Sequence, residues 1–307
     1  MRKHTLAWCA IAVALLSAPG CKKKSGPGGW LVGEEGLMAN LHDDGSLGPG
    51  YDLGRNDDLY GIECRGLDDA FVVGSGGVFL RTFDKGATWE TIDLGTDRTL
   101  RGVAAAILND VVAVGDQAFF VSHDSGDSWT GVPVDTAGLE SVAMPHDGSY
   151  ALAVGDGAAW RWNGESLQQT AELPGVRAVA LSHDGATAAA VGAGAWRSLD
   201  GGVHWTSIAL PDGLDLHDVW AARDGTIVAV GAGGAMVTIG ADDRVTVAHP
   251  GVGTLRTVHL TAGGHGMVAG DGGEVLMSHD GGASWARVSV GIDRTIYALD
   301  EIGVGHN

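Results

Sequence analysis

One position of a repeated segment carries polar or aromatic side chains that could bind a ligand or a partner. The segment reads L-x-x-V, with Val or Ile at its first position in two copies and Ile or Leu at its last position in two copies. Arginine offers a rigid fork of N–H donors that fits a carboxylate, and Arg and Tyr are enriched at the centres of protein interfaces. The pattern therefore predicts a binding ring that holds carboxylates or an acidic loop; the alternative is that these residues only pair with one another. The residues after the first position are Tyr60, Arg101, Glu140, Arg177, His217, Arg256 and Tyr297.

Acidic residues are expected to surround this ring. They lie in the loops that flank the repeated segments: Glu34, Glu35, Asp57, Asp58, Asp97, Asp116, Asp156, Asp212, Asp271 and Asp293. No segment has the D-x-[DN]-x-[DN]-G spacing of an EF-hand, so a solvated rim is favoured over a cation site. The histidines stand in or near turns (His42, His123, His146, His183, His279) and are expected to be surface residues. We expect no metal and no cofactor.

A hydrophobic-Gly step, called the V-G step below, follows each of the first six L-x-x-V segments, and one further copy precedes them all. Its glycines are separated by 41, 41, 40, 37, 39 and 39 residues. Periods of this length are typical of propellers and solenoids. The copies are Val32-Gly33, Val73-Gly74, Val114-Gly115, Val154-Gly155, Val191-Gly192, Val230-Gly231 and Ala269-Gly270.

Four copies of a second motif, S/T-x-D-x-G-x-x-W, stand in register with the glycine repeat. In a turn, the Asp accepts backbone N–H bonds, the Gly takes a positive φ, and the Trp covers the turn with apolar surface. The motif resembles the Asp-box (BNR) repeat, and we interpret it as structural because repeats 1, 4 and 6 lack it. Its Asp and Trp residues are Asp84, Trp89, Asp124, Trp129, Asp200, Trp205, Asp280 and Trp285.

Each repeat can be divided into four short strands, and four strands in about 40 residues make a propeller blade. The first repeat begins at strand two (Trp30–Gly33), and an orphan strand one remains at Thr295–Ile302. If the last strand completes the first blade, seven blades close into a ring without exposed sheet edges. The sequence predicts an all-β fold, one seven-bladed propeller over residues 30–307.

The combined pattern of V-G steps, Asp boxes and L-x-x-V segments resembles the Ycf48/Hcf136-like branch of Asp-box propellers. The resemblance covers residues 30–302. It implies a propeller that binds protein subunits as an assembly factor. A fold alone does not define a function, so this is an analogy.

The first residues have the composition of an export signal. Arg2 and Lys3 precede the apolar run Leu6–Leu16, which is too short to span a membrane. Ser17–Cys21 resembles a lipobox, so we expect a signal peptide over 1–20, a lipid on Cys21 and a flexible linker over 21–29. This favours a bacterial envelope protein held by its lipid, with the outer membrane as the favoured location; the alternative is a soluble periplasmic or secreted protein. Cys64 is expected to be an unreactive thiol with a structural role.

Charge and composition exclude some classes of function. The chain has 307 residues, 51 of them Gly, and a formal net charge of −19. Nucleic-acid binding gains affinity from clustered Lys and Arg, so we expect no nucleic-acid partner.

Two enzyme classes use Asp-box propellers. Sialidases need an early Arg-Ile-Pro segment that is missing here, and xyloglucanase-like enzymes need two propellers. We therefore predict a non-catalytic scaffold or assembly factor that binds another envelope protein; the oligomeric state is not predicted. The alternatives are a carbohydrate or small-ligand module that uses exposed tryptophans (Trp160, Trp162, Trp196, Trp220) and, third, a glycosidase.

Overall fold

The structure, a computed structural model, describes residues 28–48, 54, 56–261 and 263–301. These residues form 27 β-strands. The strands are β1 (Gly29–Gly33), β2 (Met38–Leu41), β3 (Leu59–Arg65), β4 (Asp69–Gly74), β5 (Phe79–Thr82), β6 (Glu90–Thr91), β7 (Leu100–Ala105), β8 (Val111–Gly115), β9 (Ala118–Ser122), β10 (Thr130–Gly131), β11 (Ser141–Ala143), β12 (Ala151–Gly155), β13 (Ala158–Trp162), β14 (Leu167–Glu172), β15 (Val176–Leu181), β16 (Ala188–Gly192), β17 (Ala195–Ser198), β18 (Thr206–Ile208), β19 (Leu216–Ala221), β20 (Ile227–Gly231), β21 (Met236–Ile239), β22 (Val245–Ala248), β23 (Leu255–Leu260), β24 (Gly266–Gly270), β25 (Val275–Ser278), β26 (Ala286–Val288) and β27 (Ile296–Glu301).

The strands form seven antiparallel sheets, which are the blades of a propeller. Blades 2 to 7 are β3–β6, β7–β10, β11–β14, β15–β18, β19–β22 and β23–β26. Blade 1 has the order β2-β1-β27 among the described residues, and a single bridge pairs Leu41 with Leu47 beyond β2. The C-terminal strand β27 pairs with β1 and contacts both β3 and β23. The predicted seven-bladed propeller, closed by the C-terminal strand, is confirmed.

Seven hydrophobic clusters form the core, and each lies between two neighbouring blades. The cluster between blades 1 and 2, for example, joins Trp30 and Val32 of β1 to Ile62 of β3. The aliphatic residue at the end of each L-x-x-V segment belongs to such a cluster, as the sequence predicts: Ile62, Val103, Val142, Val179, Val219, Val258 and Leu299. Burial of these side chains between blades is the main stabilising contribution to the ring.

The strand that carries the L-x-x-V segment is the inner strand of each blade: β3, β7, β11, β15, β19, β23 and β27. The glycine of each V-G step ends the second strand of its repeat, where the backbone passes close to the start of an inner strand. A Cβ on Gly115 would overlap the carbonyl oxygen of Thr99, and an overlap with a backbone carbonyl would occur at the other six positions as well. The N–H of Asp116 donates to the Thr99 carbonyl at 2.9 Å. The repeated glycine is therefore explained by close approach of two backbones. In four blades a 3-10 turn follows it: Glu34–Gly36, Ser75–Gly77, Ala232–Gly234 and Asp271–Gly273.

The four S/T-x-D-x-G-x-x-W turns have the hydrogen bonds that the sequence predicts. In blade 3 the Ser128 hydroxyl and N–H donate to Asp124 (2.5 and 2.8 Å), and the Ser122 hydroxyl donates to the same carboxylate. These bonds, in that order of importance, lower the pKa of Asp124 to about 2. Gly126 has a φ of 88°, and its carbonyl accepts the indole N–H of Trp129 at 3.1 Å. The turns at Asp84, Asp200 and Asp280 repeat the carboxylate bonds.

The inner strands border the propeller axis, so their inward N–H groups have no neighbouring strand. Side chains from the adjacent blade satisfy several of them, as expected for buried backbone donors. The Asp300 carboxylate accepts the N–H of Cys64 at 2.6 Å, and the Asp218 carboxylate accepts the N–H of Val258 at 2.9 Å. Three further pairs have the same arrangement: Ser141 with Val179, Thr257 with Leu299, and Glu63 with Ala105.

No helix within the described ranges is long and apolar enough to cross a membrane. The predictions for the signal peptide, Cys21 and residues 21–27 of the linker lie outside the described residues.

Cys64 is buried in β3, and burial raises its pKa well above the usual value, so the thiol stays protonated.

Candidate functional site

The predicted ring residues lie together where the inner strands begin, and we call this side of the propeller the ring face. In six blades the pairing with the second strand skips the ring residue, as between Leu59 and Gly61 opposite Gly74 and Val73. Such a bulge redirects a side chain out of the sheet. In the remaining blade Glu140 directly precedes β11 and is exposed. The bulge is a feature that the sequence analysis did not predict.

Four of the seven ring residues form a continuous row of contacts, in which the two tyrosine rings are tilted by 43° to each other. Tyr60 and Tyr297 have ring centroids 5.1 Å apart. The Arg101 guanidinium lies 5.8 Å from the Tyr60 centroid, and that of Arg256 lies 5.6 Å from Tyr297. Cation–π contact over this distance range contributes about 0.5–1 kcal/mol at exposed sites. We call Arg256–Tyr297–Tyr60–Arg101 the arc.

Two ring arginines, those of the arc, are paired with rim carboxylates. Arg101 Nε donates to Asp116 at 2.9 Å, and Arg256 Nε donates to Asp271 at 2.5 Å. Both acids directly follow a V-G glycine. The side chains of Arg101 and Arg256 are still 39% and 32% exposed, so N–H donors are available to a partner. The two arginines of the arc therefore carry little unpaired positive charge, because each is paired with a carboxylate of the rim.

Asp215 joins the two remaining basic members of the ring. It accepts from Arg177 Nε at 3.2 Å and lies 3.5 Å from His217 Nε2. Burial lowers the pKa of His217, which favours its neutral form. Asp215 was not among the residues predicted for the rim. Its position directly before an inner strand, like that of Asp58 before Leu59, was the available signal.

The tyrosine hydroxyls are directed toward the acidic rim. Tyr60 donates to Asp58 at 3.3 Å, and Tyr297 donates to Glu34 at 3.4 Å. Glu34 also accepts the Thr295 N–H at 2.8 Å, and this bond lowers the pKa of Glu34. Burial, followed by the nearby Glu34 charge, raises the pKa of Tyr297 to about 12. The arc therefore keeps neutral phenols and charged guanidinium groups over the physiological pH range.

A separate cavity occupies the other end of the axis. It has a volume of about 770 Å³ and is lined by the later residues of all seven inner strands. None of the seven ring residues lines it. The side where it opens, which also carries the Asp-containing turns, is called the cavity face. The six carboxylates of its lining (Glu63, Asp69, Asp218, Asp224, Asp300, Glu301) were not identified as site residues from the sequence.

The other predicted candidates are dispersed or packed. Trp160, Trp162, Trp196 and Trp220 are half-buried against the blade interfaces, so the prediction that they are exposed is wrong. Trp220 also borders the central cavity described above. His146 and His183 have ring centroids 4.4 Å apart, and His123 bonds Asp110 at 2.6 Å. Within the described part of the chain, no three His, Cys, Asp or Glu residues are arranged to hold a metal ion.

No protein-family model matches the chain, and no curated protein matches it. Solved structures do. A structure of YCF48 bound to D1 peptide has a TM-score of 0.62 and 21% identity, with 75% of this chain and 81% of that chain covered. YCF48 from Cyanidioschyzon merolae has a TM-score of 0.61 and 16% identity, with 77% and 86% covered. The WD40 β-propeller domain of Doa1 has a TM-score of 0.68 and 13% identity, with 90% and 92% covered. The shared feature is the β-propeller fold.

Proposed function

We propose that this chain is a non-catalytic propeller that binds a segment of another protein on its ring face, as a scaffold or assembly factor of the bacterial cell envelope. The observation that carries the proposal is the arc, in which two tyrosines in ring contact lie between two half-exposed arginines. Aromatic and guanidinium groups of this kind are the residues that dominate protein interfaces. The YCF48 structure with a bound D1 peptide supports the proposal by analogy of fold.

The charge of the ring face determines which segment it would accept. Every arginine of the ring has a carboxylate partner, so the arginines have donors to offer but little net positive charge. A segment in extended conformation can supply backbone carbonyls or a single carboxylate to these donors and an apolar side chain to the tyrosine pair. Cationic residues next to that segment would be attracted by the surrounding rim acids.

A lipid on Cys21 would place the ring face away from the membrane. Strand β1 begins at Gly29, which pairs with Glu301 at the cavity face, and ends at Gly33 beside the ring. The eight residues from Cys21 to Gly28 are joined by seven Cα–Cα steps, which span at most about 25 Å. The cavity face would then lie next to the membrane, at the surface of the outer membrane in the arrangement we favour, and the ring would be free to bind its partner.

Crosslinking in the native envelope, followed by capture and mass spectrometry, tests this function. We expect one envelope protein to be enriched with the wild-type chain and lost with Arg101, Arg177 and Arg256 all changed to Ala. The matched control changes Lys85 and Arg244, two exposed cations outside the ring, to Ala. Equal enrichment by all three chains would place the site elsewhere. No enrichment by any of them would contradict protein binding.

A further inference from the structure

The central cavity has the size of a small-molecule site. Its volume of about 770 Å³ lies within the range of about 300–1,000 Å³ that is usual for ligand pockets. Aliphatic side chains such as Ile62, Leu181 and Leu260 line its wall, and Trp220 lies beside them. The cavity is at the opposite end of the axis from the ring, so ligand binding there does not depend on the proposed function.

Carboxylates in the wall outnumber the basic groups that pair with them in the described part of the chain. Asp218 and Asp300 are held by backbone N–H groups, and Asp300 lies 3.1 Å from His259 Nδ1. At the mouth Arg65 is already bonded to Asp69 at 2.7 Å and to the Leu108 carbonyl at 2.7 Å. The side chain of Arg65 is therefore not available to balance the acids deeper in the cavity, and the other arginine of the lining, Arg223, is exposed.

Glu301 is the acid in this wall that lacks a partner. It is only 6% exposed, and its Oε2 atom has no hydrogen-bond partner among the residues that the structure describes. A buried carboxylate that is neither paired nor hydrogen-bonded is strongly unfavourable when ionised. Burial, followed by the charges of Asp43 and Asp300, raises the pKa of Glu301 to about 7. A cation in the cavity would remove this penalty.

We propose that the central cavity binds an aliphatic organic amine, whose ammonium group pairs with Glu301 and whose methylene chain lies against the aliphatic wall. An ammonium supplies three donors and a positive charge to a site that offers oxygen acceptors. Trp220 in the same wall can contribute a cation–π contact. A metal ion is the poorer fit, because no three ligating side chains of the described residues are arranged to hold one.

Isothermal titration calorimetry of the full chain with 1,4-diaminobutane and with n-butylamine tests the proposal. At about pH 8, where Glu301 is mostly ionised, we expect a single saturable site for each amine. Changing Glu301→Gln should weaken binding by about tenfold or more, because the substitution removes the charge and keeps the shape. The matched control is Glu165→Gln, at an exposed turn residue, which should leave the affinity unchanged.

A comparison of two ligands on the wild-type chain tests the proposal without a variant, so its outcome does not depend on whether a variant folds. n-Butanol has the same chain length as n-butylamine and no positive charge, so we expect no saturable heat from it. Equal binding of the alcohol and the amine would overturn the proposal and show an apolar cavity only. Absence of amine binding up to about 10 mM, or unchanged affinity in the folded Glu301→Gln variant, would overturn it as well.

Discussion

Tyr60 and Tyr297 are in contact across the seam where the first and last inner strands of the propeller meet, with 5.1 Å between their ring centroids. Tyr60 lies in β3 and Tyr297 in β27, so the arc exists only when the C-terminal strand has closed the ring. Closure of the fold and assembly of the candidate site are therefore one event.

Truncation of Tyr297 should impair partner binding more than stability. Tyr297→Ala removes the contact with Tyr60 and the surface on which Arg256 rests, so we expect partner crosslinking to fall by about tenfold or more. Tyr297→Phe retains the ring contact and loses only the long bond to Glu34, and should crosslink like the wild type. Equal loss in both variants would indicate that the hydroxyl, rather than the ring contact, carries the interaction.

Ring arginines should contribute little to folding. Arg101→Ala breaks a half-exposed ion pair, so the free energy of unfolding in urea should change by less than about 1 kcal/mol. Arg81 is the contrasting case: it is 9% exposed and bridges Glu90, Asp127 and the Ser125 carbonyl. Arg81→Ala should cost about 1.5–3 kcal/mol. A larger loss at Arg101 than at Arg81 would assign the ring a structural role.

The V-G glycines should not tolerate a methyl group. In Gly115→Ala the new Cβ would overlap the Thr99 carbonyl, which must shift together with the entrance to β7. We expect destabilisation by about 3 kcal/mol or more, or failure to fold. Gly131→Ala is the matched control, because its Cβ would meet only the Phe120 ring at ordinary contact distance. Circular dichroism with urea titration of both variants measures the difference.

Stability should reach its maximum on the acidic side of neutrality. Burial raises the pKa of Glu301 to about 7 and that of Asp218 to about 6, so the folded state binds these protons more tightly than the unfolded chain. The stability they contribute is complete below about pH 4 and is lost as the pH rises through 6 and 7. Asp124 behaves oppositely: its lowered pKa, about 2, gives stability above about pH 4 that is lost at lower pH.

Thermal unfolding between about pH 3 and 8 checks this dependence. Glu301→Gln should reduce the decline between about pH 5 and 8, whereas Glu165→Gln should leave it intact. A wild-type melting temperature that stays constant over that interval would contradict the shifted pKa values.

The repeat alone was enough to predict the blades, their number and the closing strand. The spacing of V-G and L-x-x-V segments follows strand length and turn length, which are local properties, and the ring residues share one register position within them. The pairs of Arg101 with Asp116 and of Arg177 with Asp215 were not predicted, because they depend on bulges that redirect side chains. The Glu301 environment was not predicted either, since it forms only where strands distant in sequence meet at the axis.

The most direct measurement is site-specific photocrosslinking from Glu140, an exposed ring residue, in the native envelope. A photoreactive residue at Glu165, in the turn between β13 and β14 on the cavity face, is the matched control. We expect an adduct with one protein from position 140 that is absent from position 165 and is lost when Arg101 and Arg256 are changed to Ala. The same adducts from both positions, or an adduct from position 165 alone, would contradict binding at the ring face.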